Sequence, residues 1–146
     1  APPAGAPPVG TATARGSRGA APGGAAAAAM DWAAVSGALG GLGVAFGAFG
    51  AHGLKKSIKD PELLESWKTA SMYQMVHAAM IGVSASLGKG KKAPALFTAG
   101  VVCFSGSIYG LVLLPRGHGL RKVLGPVTPL GGLLFIAGWA SMALGK

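Results

Sequence analysis

From residue 30 onward, hydrophobic and polar positions separate into long uncharged runs broken by short charged clusters. Trp32 to Gly53 is a run of 22 residues without a charge, and at about 1.5 Å of helical rise per residue it covers a hydrocarbon core of about 30 Å. A polar link from Leu54 to Lys59 follows, with Lys55, Lys56 and Lys59. Asp60-Pro61-Glu62 then supplies a capping carboxylate, a proline suited to the first helical position and an acid in the first turn, which predicts a helix start. That helix keeps Glu62, Glu65 and Lys68 near the surface, spans the bilayer over 67–88 and ends at Lys89, Lys91 and Lys92. A third uncharged run covers 93–114. Pro115 to Leu124 reads as a surface loop carrying Arg116, His118, Arg121 and Lys122, and Thr128-Pro129 reads as the cap and first turn of a fourth span over 128–145. The predicted fold is all-α: a four-transmembrane-helix bundle over 30–146 behind an extended Ala/Pro/Gly-rich tail over 1–29.

Composition agrees with lipid as the solvent. Of 146 residues 51% are hydrophobic and only 12% charged, where an ordinary soluble domain carries about a quarter charged, and mean hydropathy is +0.51. Trp32, Trp67 and Trp139 fall near predicted span ends, as in an aromatic belt. The net charge of +9 is spread in short clusters between apolar runs rather than along one face, so anionic lipid headgroups, cardiolipin included, are the expected partner and nucleic acid is not. Lys55, Lys56, Lys59, Lys89, Lys91, Lys92, Arg116, Arg121 and Lys122 are the expected headgroup contacts. An even number of spans places Arg15, Arg18, Lys89, Lys91, Lys92 and Lys146 on one side, opposite Lys55, Lys56, Lys59, Lys68, Arg116, Arg121 and Lys122. Without the distant tail arginines, the count favours the 54–66 and 115–125 segments as the positive side.

Residues 1–29 hold Ala, Gly and Pro with two arginines and no acid. They cannot build a core, and read either as an organellar targeting segment or its remnant, or as a low-complexity linker. A neighbouring subunit is the expected anchor for this tail.

Small residues organise the first span. Ser36, Gly40, Gly43, Gly47 and Gly50 are spaced four, three, four, three, which puts them on one narrow helix face where another backbone can come close. A second face of Ala34, Ala38, Gly41, Ala45 and Ala48 is small as well, with His52 projecting at its end, so the helix is expected to be gripped from two sides. Ala99, Cys103, Gly106 and Gly110 repeat the device on the third span and give Cys103 a packing role. No acid, His or cation neighbours Cys103 to activate its thiol.

The most polar patch within a span is Tyr73, Gln74, His77 and Ser84, which share one side of the second helix. Ionisable groups at membrane depth raise a functional reading, transport or ligand binding. The structural alternative is that they hydrogen-bond to Ser105, Ser107 or Tyr109 and lock the bundle. A haem held between His52 and His77 is disfavoured, because His52 lies at its span's end and His77 roughly 10–15 Å deeper. His52 is instead expected to hydrogen-bond near the headgroups, to the 54–60 link or to Tyr73. Asp31, Asp60, Glu62 and Glu65 all lie outside the apolar cores, no nucleophile–base set or metal motif occurs, and neither an enzyme nor a cofactor or metal site is expected.

GAFGAHGL at 47–54, WKTASMYQMVHA at 67–78, FSGSIYGLVL at 104–113 and GPVTPLGGLLFIAGW at 125–139 resemble the small membrane family called transmembrane protein 256, whose bacterial relatives are called domain of unknown function 423. The resemblance covers residues 31–146 and implies a four-helix inner-membrane protein, mitochondrial in most eukaryotes, with no established chemistry. It carries over His52, Trp67, Tyr73, Gln74, His77, Ser105, Gly106, Ser107, Tyr109, Gly125, Pro126, Thr128 and Pro129 as motif residues, and the tail departs from the family's pattern. Together these readings lead to an expected non-catalytic accessory subunit of a large organellar energy-transducing complex, most simply respiratory and in the mitochondrial inner membrane. The alternatives are a plastid thylakoid complex, or a small transporter or quinone/lipid-binding protein using the Tyr73/Gln74/His77 face.

Overall fold

The computed structural model describes residues 30–88 and 92–145. The tail over 1–29 with its expected anchoring, Lys89 and Lys91 with their expected headgroup roles, and Lys146 lie outside the described residues. Four long helices make up the rest: α1 (Trp32–Phe49), α2 (Pro61–Ser86), α3 (Lys92–Leu113) and α4 (Arg121–Leu144). They pack in sequence, α1 on α2, α2 on α3 and α3 on α4. Short connections make successive helices antiparallel, so α2 and α4 run the same way on either side of α3.

The Asp31 carboxylate accepts from the Ala33 and Ala34 N–H groups to cap α1, and Asp60 accepts from Glu62 N–H ahead of Pro61. Beyond Phe49 the first helix does not stop. It widens into a single π-helical turn, Gly50–Leu54, and finishes as Lys55–Ser57, so the expected polar link is largely helical. At this turn the Trp67 indole of α2 packs against Gly50, and its Nε1 donates at 2.7 Å to the Phe46 carbonyl, which also accepts from the Gly50 N–H. The turn points Leu54 into the core.

The fourth helix starts seven residues before the expected Thr128, with Pro126 and Pro129 inside it. Arg121 explains the early start. Its guanidinium donates to the Leu111 and Leu114 carbonyls, satisfying the exposed end of α3 and fixing the first turn of α4 beside it. Each proline removes one backbone bond. The Thr128 hydroxyl bonds to the Leu124 carbonyl at 3.2 Å and to the Ser107 hydroxyl at 2.7 Å, tying this stretch to α3.

Among the described residues three helices are long and apolar enough to cross a membrane: Trp32–Ser57, Lys92–Leu113 and Arg121–Leu144. The remaining long helix, α2, falls short in composition rather than length, as its polar face predicts. Its 26 residues reach about 39 Å, ample for a bilayer, but its hydropathy is lowered by charged residues at its start and by Ser71, Gln74, His77 and Ser84. Those four are buried against neighbouring helices, which is where polar groups of a membrane bundle belong.

Two apolar clusters fill the bundle. Leu54, Trp67, Ala70, Tyr109 and Val112 form one beneath the charged end. Ile81, Ala93, Phe97, Val101 and Phe135 form the other. A polar layer of Ser71, Gln74, His77, Ser105 and Ser107 separates them.

Candidate functional site

The first small-residue face of α1 meets α2 along its whole length. Ser36 donates to the Ala78 carbonyl at 2.8 Å, a Cβ on Gly43 would lie 2.7 Å from Met75 Cγ, and Gly47 and Gly50 lie against Ser71 and Trp67. At Gly40 a Cβ would only reach ordinary contact with Ala78, 3.9 Å away. The second face, Ala34, Ala38, Gly41, Ala45 and Ala48, is exposed throughout. His52 is exposed too. Among the described residues no hydrogen bond reaches its imidazole, which corrects the expected tie to the link or to Tyr73: the π-helical turn directs it outward, while Tyr73 packs toward Phe104 and Phe135.

On α3 the predicted stripe divides. Gly110 takes the Leu124 side chain, whereas a Cβ on Gly106 would meet nothing within 4 Å, and Ala99 and Cys103 are half-buried. The close contact between α3 and α4 rests instead on Gly100, Gly131 and Gly138, each opposed by a phenylalanine: Gly100 by Phe135, Gly131 by the backbone of Phe104, and Gly138 by Phe97. Their signal in the sequence was a glycine on one helix matched to an aromatic on the other, not a run of small residues.

The polar layer is a set of interhelical hydrogen bonds. Gln74 donates from Nε2 to the Leu39 carbonyl of α1 at 2.8 Å and accepts at Oε1 from the Tyr109 hydroxyl of α3 at 3.0 Å. Ser105 donates to the Ala70 carbonyl at 2.8 Å. His77, 5% exposed, bonds through Nδ1 to the Tyr73 carbonyl at 2.8 Å and through Nε2 to the Trp139 indole N–H at 3.3 Å. An indole N–H only donates, so Nε2 must accept and Nδ1 carries the proton. The ring is thus a neutral imidazole, stacked on Phe135 with centroids 3.5 Å apart. Ser84 bonds within its own helix, to the Ile81 carbonyl. Among the described residues no buried side-chain polar atom lacks a partner.

Of the expected polar face, then, only Gln74 pairs with one of the three residues anticipated on α3. Tyr73 is different: it is 39% exposed, and its ring lies over Phe104, centroids 4.9 Å apart. It lines an open cavity of about 480 Å³ between α2 and α4, floored by Phe104 and walled by Gly132, Leu133, Phe135, Ile136 and Trp139. Nearer the charged end, a second cavity of about 630 Å³ lies between the same helices, with Glu62, Glu65 and Thr69 on one side and Arg121 and Thr128 on the other. No group of three or more His, Cys, Asp or Glu residues positioned for a metal occurs among the described residues.

The basic residues at the charged end divide by partner. Arg116 pairs with Asp60 at 2.6 Å, Lys68 with Glu65 at 3.2 Å, and Lys59 donates to the Lys55 carbonyl. Arg121 is half-buried as a cap on α3 rather than a loop residue. Lys55, Lys56, Lys92 and Lys122 are exposed.

A family model described as "Protein of unknown function (DUF423)" matches residues 46–132, the interval that holds the polar layer and most of both cavities. The chain belongs to the DUF423 family. It is 51% identical over 104 residues to a UPF0382 membrane protein of Schizosaccharomyces pombe, covering 69% of this chain and 88% of the relative. UPF0382 membrane proteins of Staphylococcus aureus and Bacillus subtilis are each 42% identical, over 109 and 105 residues, covering 70% and 67% of this chain and 84% and 80% of theirs. No solved structure matches. This DUF423 chain is a membrane protein with several apolar helices, like its bacterial and fungal relatives.

Proposed function

We propose that this DUF423 protein is a non-catalytic accessory subunit of a multi-subunit, energy-transducing membrane complex, embedded by four crossings with lipid and partner helices around it. The observation that carries the reading is the unequal use of α1. One small-residue face is consumed by α2, while Ala34, Ala38, Gly41, Ala45 and Ala48 stay open to a second backbone, and such faces drive helix association in lipid. The polar groups at membrane depth support a structural role as well, because Gln74 bonds to α1 and α3 and His77 to its own helix and to α4. In a eukaryotic cell the mitochondrial inner membrane, with its cardiolipin, is the proposed location and the respiratory chain the proposed host. In a photosynthetic cell the thylakoid is the corresponding alternative.

The test is migration of the native protein on a blue native gel after mild solubilisation. The reading expects a high-mass band that Gly41→Leu with Ala45→Leu shifts to the free chain without loss of helix content. Migration of the unsubstituted protein only as a small free species overturns it. A transporter reading has no support from a polar path, since the cavity that reaches His77 is lined mainly by aromatic and aliphatic side chains. Lipid binding keeps support from the groove between α2 and α4.

A further inference from the structure

The two cavities between α2 and α4 lie end to end along the same helices. On α2 the lining residues Glu62, Thr69, Tyr73 and Val76 recur at helical spacing along a single side. On α4 Thr128 of the outer cavity adjoins Pro129 of the inner one, and on α3 Ile108 lies one turn from Phe104. From Glu62 to His77 the lining extends about 22 Å along the helix axis, against about 15 Å for one leaflet of hydrocarbon. Its character changes along that length. The outer end carries Glu62, Glu65 and Arg121, and the inner end is aromatic and aliphatic.

The charges at the mouth are opposite in sign and do not satisfy each other. Among the described residues no ion pair joins Arg121 to Glu62 or Glu65, and the Glu62 carboxylate has no hydrogen-bond donor, its backbone alone being engaged. Arg121 commits one nitrogen, Nη1, to the α3 carbonyls, which leaves further N–H groups of its five. Glu65 is already paired with Lys68, so an anionic head would meet the unpaired Glu62 carboxylate and a purely cationic one the guanidinium. A zwitterion with an ammonium and a phosphate satisfies both.

We infer that the groove between α2 and α4 is a binding site for a zwitterionic aminophospholipid. Its phosphate sits at Arg121, its ammonium at Glu62 beside the Glu65–Lys68 pair, and one acyl chain runs inward over Phe104 to the Tyr73–Trp139 end. The ammonium of an ethanolamine head donates hydrogen bonds to carboxylates, whereas a quaternary choline has no N–H to donate, so ethanolamine is selected over choline. This site is separate from the outer face of α1 on which the proposed function rests, and stands or falls without it.

The test uses the full chain reconstituted in nanodiscs of equal parts dioleoyl phosphatidylethanolamine, phosphatidylcholine and phosphatidylglycerol, followed by native mass spectrometry of lipid retained on release. One phosphatidylethanolamine per chain is expected, enriched roughly tenfold over the other two lipids. Glu62→Gln with Glu65→Gln, both at exposed positions, is expected to remove the preference for ethanolamine while leaving helix content unchanged. Gly132→Leu is expected to abolish retention of any lipid, since a Cβ there only reaches ordinary contact with Phe104 at 4.0 Å and the added side chain enters the groove. Preference for phosphatidylglycerol, equal retention of all three lipids, or unchanged retention in the glutamine pair overturns the inference.

Discussion

The Trp139 indole N–H donates to Nε2 of His77 across 3.3 Å, joining α4 to α2 although the two helices share few backbone neighbours. This bond fixes the imidazole as the Nδ1–H tautomer and holds it flat against Phe135. In Trp139→Phe the Nε2 lone pair loses its donor. The Nδ1–H still donates to the Tyr73 carbonyl, so the expected outcome, read from the ¹⁵N shifts of ring-labelled His77, is the Nδ1–H tautomer in both proteins with the Nε2 resonance alone displaced in the variant.

Gln74 and Tyr109 form the central polar link between α2 and α3. Tyr109→Phe leaves the Gln74 carbonyl oxygen without a donor in a buried layer. A cost of about 0.5–2 kcal/mol is expected, measured by unfolding in mixed detergent micelles. A double-mutant cycle with Gln74→Leu should recover part of it, since removing both partners leaves no orphan.

The glycines opposed by phenylalanine should be intolerant where the open ones are not. A Cβ on Gly131 would lie 2.7 Å from the Phe104 Cα, so backbone rather than a pliable side chain must give way. Gly131→Ala is expected to cost about 1–3 kcal/mol through overpacking. Gly106→Ala, facing open space, should be neutral or slightly stabilising in the same assay, because alanine is the better helix former.

Asp60 both caps α2 and receives Arg116 from the 115–120 connection. Asp60→Ala should therefore cost about 1 kcal/mol through the lost cap. Arg116→Ala, which removes only an exposed ion pair, should cost less than about 0.5 kcal/mol. Thermal unfolding in detergent separates the two.

Much of this arrangement was legible in the chain. The Asp60-Pro61-Glu62 signal places the start of α2, and the four-three spacing from Ser36 to Gly50 identifies the face of α1 that meets α2, because both are local patterns with one physical meaning. The start of α4 was not legible. Pro126 and Pro129 are ordinary helix-start signals, and only the contact of Arg121 with the α3 carbonyls, made through tertiary packing, carries the helix upstream past them. The Gly131–Phe104 and Gly138–Phe97 contacts were hidden for a related reason: a knob and its hole lie on different helices, and neither alone marks the pair. His77 could be assigned to a membrane-depth position, but its partner on α4 depended on the register between α2 and α4, which no local pattern specifies.

The π-helical turn at Gly50–Leu54 gives the first helix one residue more than an α-helix of the same length would need. Removing Ala51 would therefore let the segment relax to regular winding with Leu54 still beside Trp67 and the lysines that follow still facing the same way, whereas the same deletion in the regular part of α1 would swing everything after it by about 100°. The wide turn thus absorbs a change of chain length without rotating the basic collar.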